Sequence, residues 1–342
     1  MTLVLETNDL TVHHKTPRGP LRAVDGISIQ VEAGETLGLV GESGCGKSTL
    51  ARCVVGISKP TSGTIMLGDL EIKDGSRHRF QRARSVQMVF QDPSGALNPR
   101  LTVERLIEEP LKVHGLGKKA ERKARVAELA AQVGLSDYHL ARHPHELSGG
   151  QRQRVSIARA LALEPGLLVC DEAVSALDVS VQAQVLNLFV DLQKRLNVAY
   201  LFISHDLSVV RYISHRIAVM YLGRIVEVGP AEEVWNRRNH PYTRALIDAI
   251  PDEAVRRDDI ALLDGDVPSP VNPPSGCTFR TRCPYARERC AAEVPVLRDR
   301  GNRLQVACHF ADEIEAANTV VETVRSGQAR SDVPAHLRAA AH

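Results

Sequence analysis

Short apolar runs recur along the first 250 residues, each bounded by turn residues and separated from the next by a helical pattern. The clearest runs are ETLGLV, SVQMVF, GLLVCD, AYLFIS and HRIAVMY. Because these runs are apolar throughout instead of alternating with polar residues, they predict strands that are buried on both faces. The pattern therefore predicts an α/β fold with a largely parallel sheet flanked by helices.

The hydrophobic pattern also divides the chain into regions. Residues 103–133 are rich in Glu, Lys, Ala and Leu and are predicted to be helical, with their basic cluster on a solvated face. Many prolines and weak periodicity mark a loop-rich segment after the strands. We therefore predict a first domain over 1–250 with a helical subdomain at about 92–165, a small Cys/Pro-rich C-terminal domain over 251–310, and a tail over 311–342 with one short helix before a partly disordered end.

Composition and charge narrow the class of protein. The hydrophobic fraction of 43% is ordinary for a globular chain, and the net charge of +2 does not suggest nucleic acid as a partner. No apolar run approaches the length of about 18 residues that a transmembrane helix needs. The start of the chain lacks the charged and apolar regions of a signal peptide. We therefore expect a cytosolic protein, in which thiols stay reduced.

A phosphate-binding pattern follows the first of these apolar runs. GESGCGKST (41–49) fits G-x-x-x-x-G-K-[ST], after a predicted strand and before a helical stretch. The glycines let backbone N–H groups approach phosphate oxygens, and the helix N-terminus faces the same anion. Lys47 is predicted to reach the β- and γ-phosphates of ATP, and Ser48 to bind Mg²⁺. The predicted ATP-binding residues are Gly41, Glu42, Ser43, Gly44, Cys45, Gly46, Lys47, Ser48 and Thr49.

Two adjacent carboxylates end the run LLVCDE (167–172). Asp171, at the end of a strand, suits a Mg²⁺ ligand. Because successive strand side chains alternate, Glu172 is expected to point elsewhere. Its predicted role is to orient or deprotonate the attacking water, as a general base does.

A second anion site is indicated by LSGGQ (147–151). Ser148 is a favourable N-cap, and Gly149 and Gly150 expose backbone N–H groups at the positive end of the following helix. One ATP has one γ-phosphate, which the phosphate loop already holds. The simplest use of both sites is a head-to-tail dimer in which Ser148, Gly149, Gly150 and Gln151 face the nucleotide of the partner subunit.

These motifs, in this order, resemble the ATP-binding subunit of an ABC transporter. The resemblance implies that Gln91 in VFQDP contacts Mg²⁺ and senses the membrane subunits, and that Asp178 in SALD communicates across the dimer. It implies that His205 in FISHD contacts the γ-phosphate. His14 falls where the family usually stacks an aromatic ring on adenine, and His13 competes for that position.

Further segments resemble the ATPases of oligopeptide/dipeptide importers: VFQDPSGALNPRLTV, EAVSALDVSVQAQVLNL, HPYT and GCTFRTRCP. The resemblance implies a P-loop NTPase core of ABC type that powers uptake of di- or oligopeptides. It also implies two integral membrane permeases, a paralogous or identical ATPase subunit, an extracytoplasmic binding protein and a peripheral location at the cytoplasmic face of the cell membrane. Nickel or another small solute is an alternative cargo. A soluble non-transport ABC ATPase and a regulatory nucleotide-binding module are the rivals.

Four late cysteines form a cluster in the sequence: Cys277, Cys283, Cys290 and Cys308. Their spacing is not the C-x₂-C pattern of zinc sites, and four thiolates suit either a [4Fe–4S] cluster or zinc. His309 could replace one ligand, and metal-free thiols could simply pack. The resemblance favours iron–sulfur, because some relatives with this C-terminal segment carry such a cluster.

Overall fold

The computed structural model describes residues 2–72, 76–250 and 265–316. Its strands are β1 (Leu3–Thr16), β2 (Gly19–Glu32), β3 (Thr36–Val40), β4 (Ser62–Leu67), β5 (Leu70–Glu71), β6 (Val86–Val89), β7 (Leu167–Asp171), β8 (Ala199–Ile203), β9 (Arg216–Tyr221), β10 (Arg224–Pro230), β11 (Arg298–Asp299) and β12 (Gln305–Val306). Its helices are α1 (Lys47–Val54), α2 (Ser76–Ser85), α3 (Pro93–Ala96), α4 (Val103–Val113), α5 (Lys119–Gln132), α6 (Asp137–Leu140), α7 (Gly149–Leu161), α8 (Val179–Leu196), α9 (Leu207–Ile213), α10 (Ala231–Arg237), α11 (Pro241–Asp248) and α12 (Glu288–Ala292), with a 3₁₀ turn at Pro144–Glu146.

The central sheet has the strand order β11-β12-β10-β9-β3-β8-β7-β6 within the described residues. The five predicted runs form β3, β6, β7, β8 and β9, and these strands pair in parallel. Strands β3, β7 and β8 are buried at every position, because helices or further strands cover both faces. The predicted α/β fold with a largely parallel sheet is confirmed.

A second, antiparallel sheet, which the sequence analysis did not predict, has the order β2-β1-β4-β5. Its strands are buried on one face only, so their apolar residues alternate with polar ones, as Ile27, Ile29 and Val31 do in β2. The sheet packs its apolar face on Leu50 of α1 and Leu37 of β3, in one shared core. It therefore forms the side of the molecule next to the phosphate loop.

The chain between β6 and β7 forms the helices α3 to α7. The helix predicted over 103–133 is present as two helices, α4 and α5. Gly115 and Gly117, with φ angles of 64° and 68°, lie in the turn between them, because only glycine adopts this conformation without strain. The basic residues Lys118, Lys119 and Lys123 are exposed, as the sequence analysis expected.

Residues 265–316 complete the central sheet. Strand β12 pairs antiparallel with β10, and β11 pairs with β12. Phe279, Leu304 and Val306 are buried in the same core as the strands and helices before residue 250. The predicted tail begins with a helical turn over 311–316, and the predicted frayed end lies outside the described residues.

Across the described ranges, no helix combines the length and hydropathy needed to span a membrane.

Candidate nucleotide-binding site

The phosphate loop connects β3 to α1 and requires glycine at two positions. A Cβ on Gly41, whose φ is 154°, would lie 2.2 Å from the backbone oxygen of Met220. A Cβ on Gly46, whose φ is 112°, would lie 1.9 Å from the backbone oxygen of Ala23. Both close approaches are to backbone atoms, which cannot move aside cheaply. The loop is therefore wedged between β2 and the end of β9.

Lys47, the first residue of α1, is only 5% exposed. Its Nζ donates hydrogen bonds to the backbone oxygens of Gly41 at 2.7 Å and Glu42 at 2.9 Å. The ammonium group therefore lies against the loop whose backbone would surround the phosphates. A lysine held there is placed to neutralise phosphate charge.

Two of the three predicted Mg²⁺ ligands, Ser48 and Asp171, meet beside the phosphate loop. Ser48 Oγ donates a hydrogen bond to Asp171 Oδ1 at 2.9 Å, which joins α1 to the end of β7. Burial raises the pKa of Asp171, and the hydrogen bond from Ser48 partly offsets that effect. A hydroxyl and a carboxylate are hard oxygen ligands of the kind that Mg²⁺ prefers.

Glu172 is the first residue beyond β7 and has a left-handed backbone, with a φ of 50°. Its N–H donates to the backbone oxygen of Ile203 at 3.0 Å, at the end of β8. The expectation that strand alternation directs Glu172 was wrong, because the strand ends at Asp171. The left-handed conformation sets the direction of the Glu172 side chain instead.

Two predicted residues, Gln91 and His205, lie beside the carboxylate of a third, Glu172. Gln91 Nε2 donates to Glu172 Oε2 at 2.9 Å, and His205 Nδ1 lies 3.5 Å from Glu172 Oε1. The three residues follow β6, β7 and β8, whose carboxyl ends lie at the same edge of a parallel sheet. Ser175, to which the sequence analysis gave no role, donates from Oγ to the backbone oxygen of Glu172 at 3.0 Å. The only indication of this role in the sequence is that Ser175 is the first residue of the motif SALD.

The LSGGQ segment opens α7 as predicted, with Ser148 as the N-cap. Ser148 Oγ accepts a hydrogen bond from Gln151 N at 3.3 Å, and Gln151 Oε1 accepts one from Ser148 N at 2.9 Å. This reciprocal pair is a capping box. A Cβ on Gly150 would lie 2.5 Å from Val181 Cγ1, so this glycine lets α7 approach α8 closely. Asp178, the N-cap residue of α8, is exposed.

The two histidines near the end of β1 differ in their surroundings. His13 Nε2 lies 3.6 Å from Asp25 Oδ1, whereas His14 is exposed. Neighbouring strand residues face opposite sides of a sheet. Of the two imidazoles, His14 is therefore the one left accessible.

Two residues from beyond position 240 hold Glu42 of the phosphate loop, and the sequence analysis assigned neither of them to the site. The backbone N–H of Glu42 donates to Tyr242 Oη at 2.7 Å. The guanidinium of Arg282 donates to both carboxylate oxygens of Glu42, at 2.7 and 3.0 Å. Contacts between positions this far apart in the chain leave no local pattern in the sequence.

The HPYT segment places Tyr242 through a buried polar network. Glu227 accepts hydrogen bonds from the N–H groups of Asn239 and His240, both at 3.1 Å. His240 caps α11 by accepting a hydrogen bond from Tyr242 N at 3.1 Å on Nδ1. Burial lowers the pKa of His240 to about 3, so its ring stays neutral and able to accept near pH 7. Burial also raises the pKa of Glu227 to about 7.

The four late cysteines line one small cavity, together with His240, Pro241, Phe279, Arg280, Tyr285, His309, Phe310 and Ile314. All four cysteines are free thiols. Burial raises the pKa of Cys283 to about 12 and that of Cys308 to about 11. Over the described ranges, no set of three or more His, Cys, Asp or Glu side chains is arranged to hold a metal ion. The cysteines therefore converge on a shared cavity without forming a ready site for one ion.

Comparison with known proteins agrees with this geometry. A family model described as ABC transporter matches residues 24–175, and one described as oligopeptide/dipeptide transporter, C-terminal region, matches residues 226–290. The di/tripeptide transport ATP-binding protein DppF of Pseudomonas aeruginosa is 49% identical over 323 residues, which cover 92% of this chain and 99% of that protein. The oligopeptide transport ATP-binding protein AppF of Bacillus subtilis is 49% identical over 298 residues, covering 85% and 90%.

Solved structures show the same fold. The cbiO1 protein of Clostridium perfringens, part of the ABC transporter complex cbiONQ, has a TM-score of 0.63 and 28% identity, covering 70% of this chain and 92% of that one. The ATP-binding cassette MJ0796, solved as a dimer in a post-hydrolysis state bound to ADP and Pi, has a TM-score of 0.61 and 27% identity, covering 66% and 98%. The chain belongs to the ABC transporter family, as an ATPase subunit that carries the oligopeptide/dipeptide transporter C-terminal region.

Proposed function

We propose that this protein is the ATP-hydrolysing subunit of an ABC importer for di- and oligopeptides. ATP hydrolysis is supported by one observation. Gln91, Glu172 and His205 converge, and the hydrogen-bonded pair Ser48 and Asp171 lies beside them. The peptide cargo is supported by the relatives DppF and AppF, which are named as di/tripeptide and oligopeptide transport proteins.

ATP and Mg²⁺ are the cofactors that these residues fit. Loop residues 41–49 cradle the phosphates, Lys47 neutralises their charge, and His14 stacks on the adenine. Ser48, Asp171 and Gln91 are the residues that would hold Mg²⁺. Burial raises the pKa of the Asp171 carboxyl, and a bound cation would stabilise its ionised form. When bound, Mg²⁺ would supply positive charge that offsets the negative charge of the phosphates during the reaction.

Glu172 is proposed as the general base that takes a proton from the attacking water. Its carboxylate is oriented by Gln91 on one oxygen, and His205 lies beside the other. His205 has a side chain that is 60% exposed, which leaves it free to contact the γ-phosphate. Placement of this kind supplies most of the rate in phosphoryl transfer, where orientation and charge stabilisation dominate.

A head-to-tail dimer is proposed to complete each site, with Ser148, Gly149, Gly150 and Gln151 facing the ATP of a paralogous or identical partner subunit. Asp178 then communicates across the interface. The MJ0796 cassette, solved as a dimer, supports dimerisation.

The transporter assignment implies further partners. We propose that two integral membrane permeases bind this subunit at the cytoplasmic face of the cell membrane, and that an extracytoplasmic binding protein delivers the peptide to them. Nucleic acid is not an expected partner. Nickel or another small solute remains the alternative cargo, and a soluble ABC ATPase is the alternative of another class.

A [4Fe–4S] cluster is proposed in the cysteine-lined cavity, with Cys277, Cys283, Cys290 and Cys308 as ligands. The donor set fits, because four thiols from different positions of the segment line one cavity and thiolates are the usual ligands of such clusters. When bound, such a cluster would join these four positions of the segment to one another. Its proposed role is structural, in a segment with few regular elements.

Anaerobic purification tests the cluster. We expect brown protein with visible absorbance and with iron and sulfide in a ratio that fits four of each per chain. Colourless, iron-free protein under these conditions would contradict the cluster, and zinc at one per chain would support the alternative metal.

Uptake measurements test the transport function. The full chain should co-purify with two membrane permeases, and proteoliposomes containing that complex should take up a labelled dipeptide when supplied with ATP and Mg²⁺. Uptake of Ni²⁺ that no dipeptide competes with would favour the alternative cargo. Hydrolysis by a chain that binds no membrane partner would favour a soluble ATPase.

A further inference from the structure

Glu42 of the phosphate loop is held at all three of its polar groups. Its backbone oxygen accepts from Lys47 Nζ at 2.9 Å, and its N–H donates to Tyr242 Oη at 2.7 Å. Its carboxylate receives both guanidinium N–H groups of Arg282, at 2.7 and 3.0 Å. The residue that follows Gly41 therefore has little freedom, and its position depends on two side chains from outside the loop.

The ion pair between Arg282 and Glu42 is bidentate and largely buried, which makes it strong. The side chain of Arg282 is 5% exposed and that of Glu42 is 24% exposed, so solvent screens the pair only in part. A bidentate guanidinium–carboxylate pair fixes direction as well as distance. Of the two loop carbonyls that accept from Lys47 Nζ, one belongs to Glu42, the residue that Arg282 holds, so the ion pair acts on the lysine expected to bind phosphate.

The segment that carries Arg282 also contacts the β1–β2 hairpin. The backbone N–H of Arg22 donates to the oxygen of Pro270 at 3.2 Å. A Cβ on Gly19 would lie 3.6 Å from Val271 Cγ1, so the hairpin and the segment are in ordinary contact there. The segment from Pro270 to Arg282 therefore runs from the hairpin to the loop and is attached at both ends.

We propose that Arg282 is a positioning residue for nucleotide binding, which fixes the phosphate loop by clamping Glu42. The inference rests on the proposed role of this loop in binding ATP and deepens it. It assigns to the C-terminal segment a direct part in ATP affinity, separate from any role of its cysteines.

Loss of the Arg282–Glu42 contact should affect KM and kcat differently, because the contact acts on the phosphate loop. The loop backbone contacts the phosphates before and during the reaction, so a misplaced loop weakens both states alike. Loss of uniform binding raises KM and leaves kcat nearly unchanged. A merely structural role predicts the opposite result, since a smaller folded fraction lowers apparent kcat at constant KM.

The test compares R282Q with R287Q in the full chain. Arg287 lies in the same segment and pairs bidentately with Glu313, at 2.6 and 3.3 Å, and is thus a matched ion pair away from the loop. We expect R282Q to raise the KM for ATP roughly ten- to a hundredfold, given the usual strength of a charged hydrogen bond, and R287Q to leave it unchanged. R282K, which keeps the charge without the fork, should fall between wild type and R282Q.

A double-mutant cycle with E42Q shows whether Arg282 affects ATP binding through its contact with Glu42. E42Q and R282Q act through one contact, so E42Q/R282Q should show the KM of the single variants and not the product of their effects. The same cycle on the dissociation constant for a fluorescent ATP analogue gives a second readout. If R282Q does not fold, E42Q alone should still show the raised KM.

Several results would overturn the inference. They are an unchanged KM in R282Q, an equal rise in R287Q, multiplying effects in the double variant, or a loss confined to kcat. These outcomes are distinct from failure of the proposed function, in which wild-type protein itself would neither bind nor hydrolyse ATP.

Discussion

Among single residues, Glu172 shows how strain and function coincide. Its left-handed φ of 50° costs a non-glycine residue about 1–3 kcal/mol. The conformation is maintained by its N–H bond to Ile203 and by the hydroxyl of Ser175, which donates to its backbone oxygen. Gln91 and His205 then contact its carboxylate. A side chain fixed by this many groups is suited to orient one water molecule.

E172Q should abolish turnover while keeping nucleotide binding. Glutamine occupies the same space but cannot take a proton, so kcat for phosphate release should fall about 10²- to 10⁴-fold. The dissociation constant for ATP should change little. E164Q is the matched control, because Glu164 also has a left-handed φ, of 52°, but pairs with Arg125. Wild-type turnover in E172Q would refute the assignment of the base.

At the scale of elements, α7 and α8 approach closely through one glycine. Gly150 is buried and faces Val181, whereas its neighbour Gly149 has room for a methyl group, which would lie 3.6 Å from Leu177 Cδ2. The two glycines of LSGGQ therefore differ in how much the packing of α7 on α8 depends on them. Gly150 is needed for packing, and Gly149 is not.

G150A should lower the free energy of unfolding by about 1–3 kcal/mol, because its Cβ would lie 2.5 Å from Val181 Cγ1. Urea unfolding measures the change. G149A, the matched control, should change stability by less than about 0.5 kcal/mol. Measured in a V181A background, the cost of G150A should shrink. A cost that is the same in both backgrounds would show that the Val181 contact is not its cause.

At the scale of the whole molecule, the C-terminal segment and the preceding chain share one core. Phe279 lies against Tyr221 and Tyr242, with ring centroids 5.2 and 5.4 Å apart. All three rings are fully buried. The segment therefore contributes to the stability of the nucleotide-binding part directly.

F279A should lower the free energy of unfolding of the entire chain by about 3–5 kcal/mol, because it leaves a cavity between the two tyrosines. Scanning calorimetry should show one transition that moves to lower temperature. V296A is the control, since Val296 lies in the same segment but is 61% exposed. A separate transition for the C-terminal segment, with the main transition unmoved, would contradict a shared core.

The central sheet and the nucleotide motifs could be predicted because each has a local pattern. Strands buried on both faces are apolar at most residues, and the phosphate loop needs its glycines at fixed spacing. The β1–β2 sheet was missed because half-buried strands alternate, which gives a weaker signal than a continuous run. The reason for the direction of Glu172 was also missed, because the end of a strand is not defined by sequence alone.

Other parts of the site depend on contacts between distant residues. Tyr242 and Arg282 reach Glu42 only after the chain has folded. No composition or periodicity near residue 42 indicates that an arginine 240 positions later will pair with it. The four cysteines were noticed as a group, but only the fold shows that they line one cavity.

The pairing of β12 with β10 has a consequence for synthesis of the protein. The chain leaves the ribosome N-terminus first, so β10 is made long before Gln305–Val306 can cover its edge. An uncovered edge strand is a surface for wrong pairing between nascent chains. The groups that hold Glu42 also emerge late. We expect stalled nascent chains to acquire a protease-resistant phosphate loop only after residue 306 has left the exit tunnel, so that a late part of the chain completes a site encoded near its start.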